Sequence, residues 1–462
     1  MVFSSLEFLF LYLPISLFAV LISPAKIRNL TIFAVSLVFY SWGGAEHLPV
    51  MLVTVAADWL LALFIERASG KRAKKILLFF AVFFNLGLLF YFKYAETLLK
   101  IIFGDSPIKT VLPIGISFYT FQALSYVFDV YYGNTSAQRD PVTFGAYVTL
   151  FPQLIAGPIV KYREVERQLL SARRPTAAFA ASGVRAFICG LAKKVLLANT
   201  AGAMWDTVSS FAEADRTAAL AWLGLIFYSL HIYFDFSGYS DMAVGLGRIM
   251  GFEFPENFNY PYISESLTDF WRRWHITLSS WFREYVYIPL GGNRKGRVRM
   301  YINLFAVWLF TGLWHGATPN FALWGLYWFI LLVLEKSVFS GIQKKLPRVL
   351  KHGFTLLFIA IGWLIFAFDD GERGLSYLRS LLCLSGAEAV NRADLYEIVR
   401  NASFLAISFF ACTPLPKKLF FKVIGKTKWE GAVSFALSVI GFFLCIVYLV
   451  NSSYNPFLYF RF

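Results

Sequence analysis

The sequence predicts an all-α polytopic membrane protein. Of its 462 residues, 58% are apolar and 19% aromatic, while only 15% are charged. An ordinary soluble domain carries about a quarter charged residues. Uncharged runs close to the length that crosses a bilayer recur along the whole chain. Together these observations exclude a disordered chain, a collagen-like chain and a soluble enzyme with a polar skin.

Charge-free runs mark the spans in order: 8–25, 29–45, 76–92, 110–128, 141–160, 217–234, 300–334, 353–368, 401–416 and 431–460. Two more segments are apolar but carry isolated charges: 49–65 with Asp58, and 176–198 with Arg185, Lys193 and Lys194. Run 300–334 is 35 residues long, too long for one span, and breaks at Gly316-Ala317-Thr318-Pro319-Asn320. That is turn chemistry, so the run reads as a hairpin. Residues 1–22 lack a basic n-region and a convincing small-residue cleavage site, and read as a retained first span.

The net charge of +15 does not indicate nucleic acid, because the basic residues sit in short clusters between apolar runs, as cytoplasmic loops do. Clusters fall at 67–75, 161–174, 272–299, 336–351 and 417–428, and acidic segments at 206–215 and 369–372. An external N-terminus puts nearly all the basic clusters inside. Run 141–160 conflicts with this order if it crosses fully. It holds Pro152, Gly157 and Pro158, which break a helix. It is therefore expected to dip in and return, which is tolerated only where protein or a water cavity covers the backbone. About eleven to twelve crossings remain, in a single domain over 1–462. Its final span and extracytoplasmic aromatic tail occupy 432–462. The four cysteines, Cys189, Cys383, Cys412 and Cys445, are far apart and read as small apolar fillers.

Five histidines are present. His47 and His352 sit at span edges and receive no role, and a core hydrogen bond suits His231. His315 is the one side chain in 300–334 whose charge changes near neutral pH. Ionisable groups at membrane depth are costly and usually face a cavity. The arm 300–315 spans roughly 24 Å as a helix, short of the ~30 Å hydrocarbon core, so His315 is expected within the membrane near the turn. Either it serves function there or it caps a carbonyl of the turn.

Segment 251–296 mixes Trp271, Trp274 and Trp281 with Arg272, Arg273 and Arg283. Such a mixture suits a membrane surface, with rings at headgroup level. Arg272 and Arg273, beside Trp274, suit donor phosphates or lipid headgroups equally. His275 is either catalytic or orders its loop. Asp235 and Tyr239 share a helical face, as do Ser237 and Asp241. This polar stripe lines a cavity or joins helices; Asn320 at the hairpin turn is a further cavity-lining candidate. Tyr459, in the tail Asn455-Pro456-Phe457-Leu458-Tyr459-Phe460-Arg461-Phe462, either anchors at the interface or offers a hydroxyl to an acyl group. No phosphate loop, GxSxG, HExxH or Cys/His metal spacing occurs in the sequence.

Long stretches carry a resemblance: LPIGISFYTFQALSYVFDVYYG (112–133), LFPQLIAGPIVKY (150–162), YFDFSGYSDMAVGLGRIMGFEFPENFNYPYIS (233–264), DFWRRWHITLSSWFREYVYIPLGGNRKG (269–296) and TGLWHGATPNFALWG (311–325), with MVFSSLEFLFLYLP at the start and NPFLYFRF at the end. The chain resembles the membrane-bound O-acyltransferase (MBOAT) family, in its bacterial alginate O-acetylase (AlgI-like) branch. The resemblance implies a ring of transmembrane helices with re-entrant segments around a thin centre. It implies a catalytic histidine at His315 and a second family histidine at His275. It further implies an acyl thioester donor such as acetyl-CoA on the cytoplasmic side and no bound cofactor or metal. The implied acceptor is an envelope polysaccharide: alginate-like exopolysaccharide, peptidoglycan or a related cell-wall polymer. An extracytoplasmic SGNH-type transferase is the implied partner in the bacterial cytoplasmic membrane, and Tyr459 an acyl carrier. Two rival readings remain: a flippase or transporter using His315 as a proton relay, or a structural anchor for a periplasmic transferase.

Overall fold

The computed structural model describes residues 2–171, 174–339, 341, 346–425, 427–452 and 454–456. Tyr459 and the rest of the chain end lie outside the described residues. Every regular element among the described residues is helical, as composition predicts. Among the described residues, six helical stretches are long and apolar enough to cross a membrane: Ala25–Arg67, Lys71–Phe103, Ala218–Ile249, Pro319–Phe339, Arg348–Ala367 and Glu430–Asn451. A seventh appears if Arg392–Ala411 and Leu415–Val423, bent by 74°, count as one. The number is below the expected crossings for two reasons. Ala25–Arg67, at 43 residues, holds about two spans' worth of helix. Other apolar runs form helices too short to pass alone, such as Ile116–Tyr132 with 17 residues.

By contacts the chain divides into two units, each assembled from separated segments. One comprises Met1–Gly190, Tyr239–Glu256 and Ser280–Pro289; the other comprises Leu191–Gly238, Asn257–Ser279 and Leu290–Phe462.

In the first unit, Arg28–Gly44 packs on Pro141–Thr149, and Leu48–Arg67 packs on Ile116–Tyr132 and Lys71–Phe90. Run 141–160 is broken as its prolines require. Asp140 caps the helix Pro141–Thr149, accepting hydrogen bonds from the Val142 and Thr143 amides. After Leu150 comes one short turn, Phe151–Leu154, and then non-helical backbone to Lys161, all of it buried. Protein therefore covers this irregular backbone. Asp58, fully buried, accepts from Asn85 Nδ2 at 2.7 Å, a polar link between two apolar helices.

In the second unit, the helices Arg297–His315 and Pro319–Leu334 form the hairpin expected from the turn at 316–320 and pack against each other. A Cβ on Gly325 would lie 2.4 Å from the Trp308 carbonyl oxygen, so only glycine lets the arms approach this closely. Arg348–Ala367 packs on the second arm.

The indole rings of 251–296 pack against protein. Trp274 and Trp281 are buried, and Trp271 meets Trp308 and Trp328 edge-on at 4.6 and 4.9 Å. Trp281 stacks on Phe121 at 3.9 Å and donates its Nε1–H to the Phe121 carbonyl. Core packing takes these rings because each finds aromatic partners within its own unit, and aromatic pairs add to the gain from burial. Of the cysteines, Cys412 and Cys445 are buried as fillers, while Cys189 and Cys383 are exposed.

Candidate active site

His315 ends the first hairpin arm, followed by Gly316 with extended backbone. Its side chain is buried, with 4% exposure. Four rings surround it: Trp314, Phe366 and Trp324 edge-on at 5.0, 5.1 and 5.2 Å, and Phe321 at 6.4 Å. Among the described residues these neighbours make an aromatic wall. Two polar cavities of the same unit, of about 370 and 380 Å³, are lined by residues such as Trp205, Asp206, Ser209, Arg216, Asp370 and Arg373 and exclude His315.

His275 belongs to the same unit and touches the same wall. It lies between the helices Leu267–Arg273 and Ile276–Phe282, with φ of 44°. That left-handed conformation is uncommon for a side chain larger than asparagine and is held by its surroundings. Asn257 supplies the hold. Its carbonyl accepts the Ile276 amide, and its Oδ1 accepts from Thr277 N at 3.3 Å and Thr277 Oγ1 at 2.8 Å. An amide N–H can only donate, so Oδ1 is fixed as an acceptor. The His275 Nδ1 at 3.1 Å from it must therefore carry the proton, which leaves Nε2 as the acceptor nitrogen of the neutral ring. The His275 ring meets Phe236 edge-on at 4.7 Å and Trp314 at 6.0 Å. Trp314 thus stands between His275 and His315.

The remaining candidates scatter. Trp274 is buried 4.7 Å from Trp363. Arg273 is engaged by Asp269 at 3.0 Å and by the Asn259 carbonyl, and Arg272 is exposed. Asp235 is buried and pairs with Lys194 at 2.6 Å. Tyr239 belongs to the other unit, stacked on Phe3 at 4.4 Å; Asp241, half-buried, lies in that unit too. Asn320 accepts from Thr318 Oγ1 at 2.6 Å within the hairpin turn. His231 is buried against Gly202, and His352 bonds the Ser264 carbonyl at 3.0 Å.

Two functional candidates escaped the sequence reading. Asn257, in PENFNY, carries no ionisable group and so gave no chemical signal. Lys194 was visible as a charge in an apolar run, but its partner Asp235 lies 41 positions away.

Among the described residues no group of three or more His, Cys, Asp or Glu is arranged to hold a metal.

Residues 135–369 match the membrane-bound O-acyltransferase family model. The chain is 38% identical to a protein of Pseudomonas putida named as a probable alginate O-acetylase AlgI, over the full length of both. It is 43% identical to the protein of that name in Pseudomonas aeruginosa, covering 89% of this chain and 81% of the relative. A peptidoglycan O-acetyltransferase of Helicobacter pylori is 32% identical over 89% of this chain and 87% of its own. The aromatic-walled histidines sit on a multi-pass helical scaffold, within or beside the matched region, and the chain belongs to the membrane-bound O-acyltransferase family and is an O-acyltransferase.

Proposed function

We propose that this protein moves an acetyl or other small acyl group from a cytoplasmic thioester, acetyl-CoA, across the membrane to hydroxyls of an extracytoplasmic polysaccharide. The acceptor is an alginate-like exopolysaccharide or a related cell-wall polymer, reached directly or through an SGNH-type partner in the bacterial cytoplasmic membrane. The observation that carries this reading is that the rings of His315 and His275 both pack against Trp314.

His315 acts as general base. Its neutral imidazole takes the proton of an attacking hydroxyl as that oxygen bonds the acyl carbonyl carbon. The carbon–sulfur bond then breaks, and the thiolate leaves to the donor side. Such assistance is worth about 10²–10⁴-fold in rate. The surrounding rings keep water from the thioester, so transfer competes well with hydrolysis. His275, held in one tautomer by Asn257, presents Nε2 as an acceptor and orients the donor by accepting from one of its N–H or O–H groups. Tyr459 is the hydroxyl that first receives the acyl group and hands it on.

Purified protein incubated with labelled acetyl-CoA, followed by mass spectrometry of the C-terminal peptide and of added polysaccharide, tests this. Label on either supports the reading, and His315→Ala should remove it while the protein stays folded. Movement of intact donor without covalent transfer would select the transporter reading instead.

A further inference from the structure

The second unit holds a buried lysine with an unusual set of partners. Lys194 lies at the start of a π-helical stretch, Lys193–Ala198, that runs straight into the helix Asn199–Ser210. Such widened turns re-aim side chains and recur at functional sites. Lys194 is 2% exposed, and Asp235 Oδ1, also fully buried, lies 2.6 Å from its Nζ. An ammonium has three N–H donors and accepts nothing. A second donor goes to the main-chain carbonyl of Pro456, 262 positions along the chain.

Two neighbouring residues dock alongside. Asn199 Nδ2 donates to Asn455 Oδ1 at 3.3 Å, and Tyr454 Oη donates to Asp206 Oδ2 at 2.6 Å. Residues 454, 455 and 456 therefore bond in turn to 206, 199 and 194, so the chain end tracks antiparallel to this helix. Gly202 clears the track: a Cβ there would stand 2.9 Å from the Tyr454 hydroxyl. The helix Glu430–Asn451, which delivers the chain end, packs on the same π-helical stretch.

We propose that Lys194 is a positioning residue: Asp235 holds its ammonium, and that ammonium docks the Pro456 carbonyl, fixing the chain end at one station of this unit. The latch shares the helix Ala218–Ile249 with a residue that packs on His275. Asp235 immediately precedes Phe236, whose ring meets His275 at 4.7 Å. Tyr459 is three residues beyond Pro456, a reach of at most ~10 Å. The docking stands on these contacts alone. Its consequence for transfer rests on the acyl-carrier reading of Tyr459.

The experiment places a single cysteine in the docked segment, Pro456→Cys, which keeps the main-chain carbonyl that Lys194 grips, in a variant with the four native cysteines replaced by alanine. Reaction with a membrane-impermeant maleimide then reports whether the end is docked. Lys194→Met combined with Asp235→Asn removes the latch without stranding a buried carboxylate, and Tyr454→Phe combined with Asn455→Ala loosens the track while keeping the latch. Maleimide labelling is expected to be about tenfold faster in the first variant, with a smaller rise in the second. Labelling that is already fast in the parent, or unchanged in a folded latch variant, overturns the docking. Faster labelling with transfer also lost supports docking and relay together. Faster labelling with undiminished transfer keeps the docking and removes the relay. Tyr459→Phe tests the relay independently.

Discussion

Each unit buries a lysine, and the two are used differently. In the first unit Lys161, 3% exposed, bonds Glu284 at 2.9 Å and Ser280 at 2.8 Å. Arg163 bridges the same Glu284 to the buried Asp129, and Asn134 bonds Asp129 at 3.0 Å. With Glu164 also 4.0 Å from the Lys161 ammonium, two cations share three carboxylates, and all of these partners are side chains of one unit. This network closes the irregular backbone that ends at Lys161 onto the helix Ile116–Tyr132. In the second unit Lys194 pairs with the carboxylate of Asp235 and gives a donor to a main-chain carbonyl near the chain end. A closed network of side chains serves stability. A buried charge that grips a distant piece of backbone serves placement.

Lys194→Met alone is the harshest way to break this contrast. It strands Asp235 as a buried carboxylate without its lysine, which typically costs about 3–5 kcal/mol. Thermal unfolding in detergent should show that loss, and Asp235→Asn in the same chain should recover most of it. Lys161→Met should cost less, about 1–3 kcal/mol, because Arg163 still holds Glu284. Transfer per folded molecule should stay near the parent value. A folded Lys161→Met protein without transfer would erase the distinction between the two lysines.

The smallest effect concerns the pair Glu213–Arg379, which joins the short turn Glu213–Asp215 to the helix Gly371–Leu381 and is bonded at 2.6 and 2.7 Å. Hydrogen bonds from Arg379 and Ser376 hold the Glu213 carboxyl down to about 2, against an ordinary 4.5. A carboxyl depressed in the folded state adds stability above its unfolded value, and that addition fades as pH falls through its folded value. The gap in unfolding temperature between parent and Arg379→Gln should be widest above pH 4.5 and close toward about pH 2. A gap that widens on acidification would contradict the pairing.

Much of the fold was legible because hydrophobic runs and breakers act locally. The turn at 316–320 and the proline-broken run 141–160 announced themselves in residues adjacent in sequence. The packing of the tryptophans of 251–296 was not legible because amphipathic rings look the same at an interface and in a core; their partners, such as Trp308, Trp328 and Phe121, are distant in sequence. His315 stood out as a lone titratable group in an apolar run. The aromatic wall around it could not be read, since Phe366 comes from another helix. Asn257 and the pairing of Lys194 with Asp235 were invisible for the same reason: a hydrogen bond between segments leaves no periodicity.

The most direct test of the account is transfer of labelled acetyl from acetyl-CoA by purified His315→Ala protein, measured beside His275→Ala and the parent. A drop of about 10²-fold or more for His315→Ala, with an unchanged unfolding temperature, is the expected result. Parent-level transfer by folded His315→Ala protein would contradict the role assigned to that imidazole.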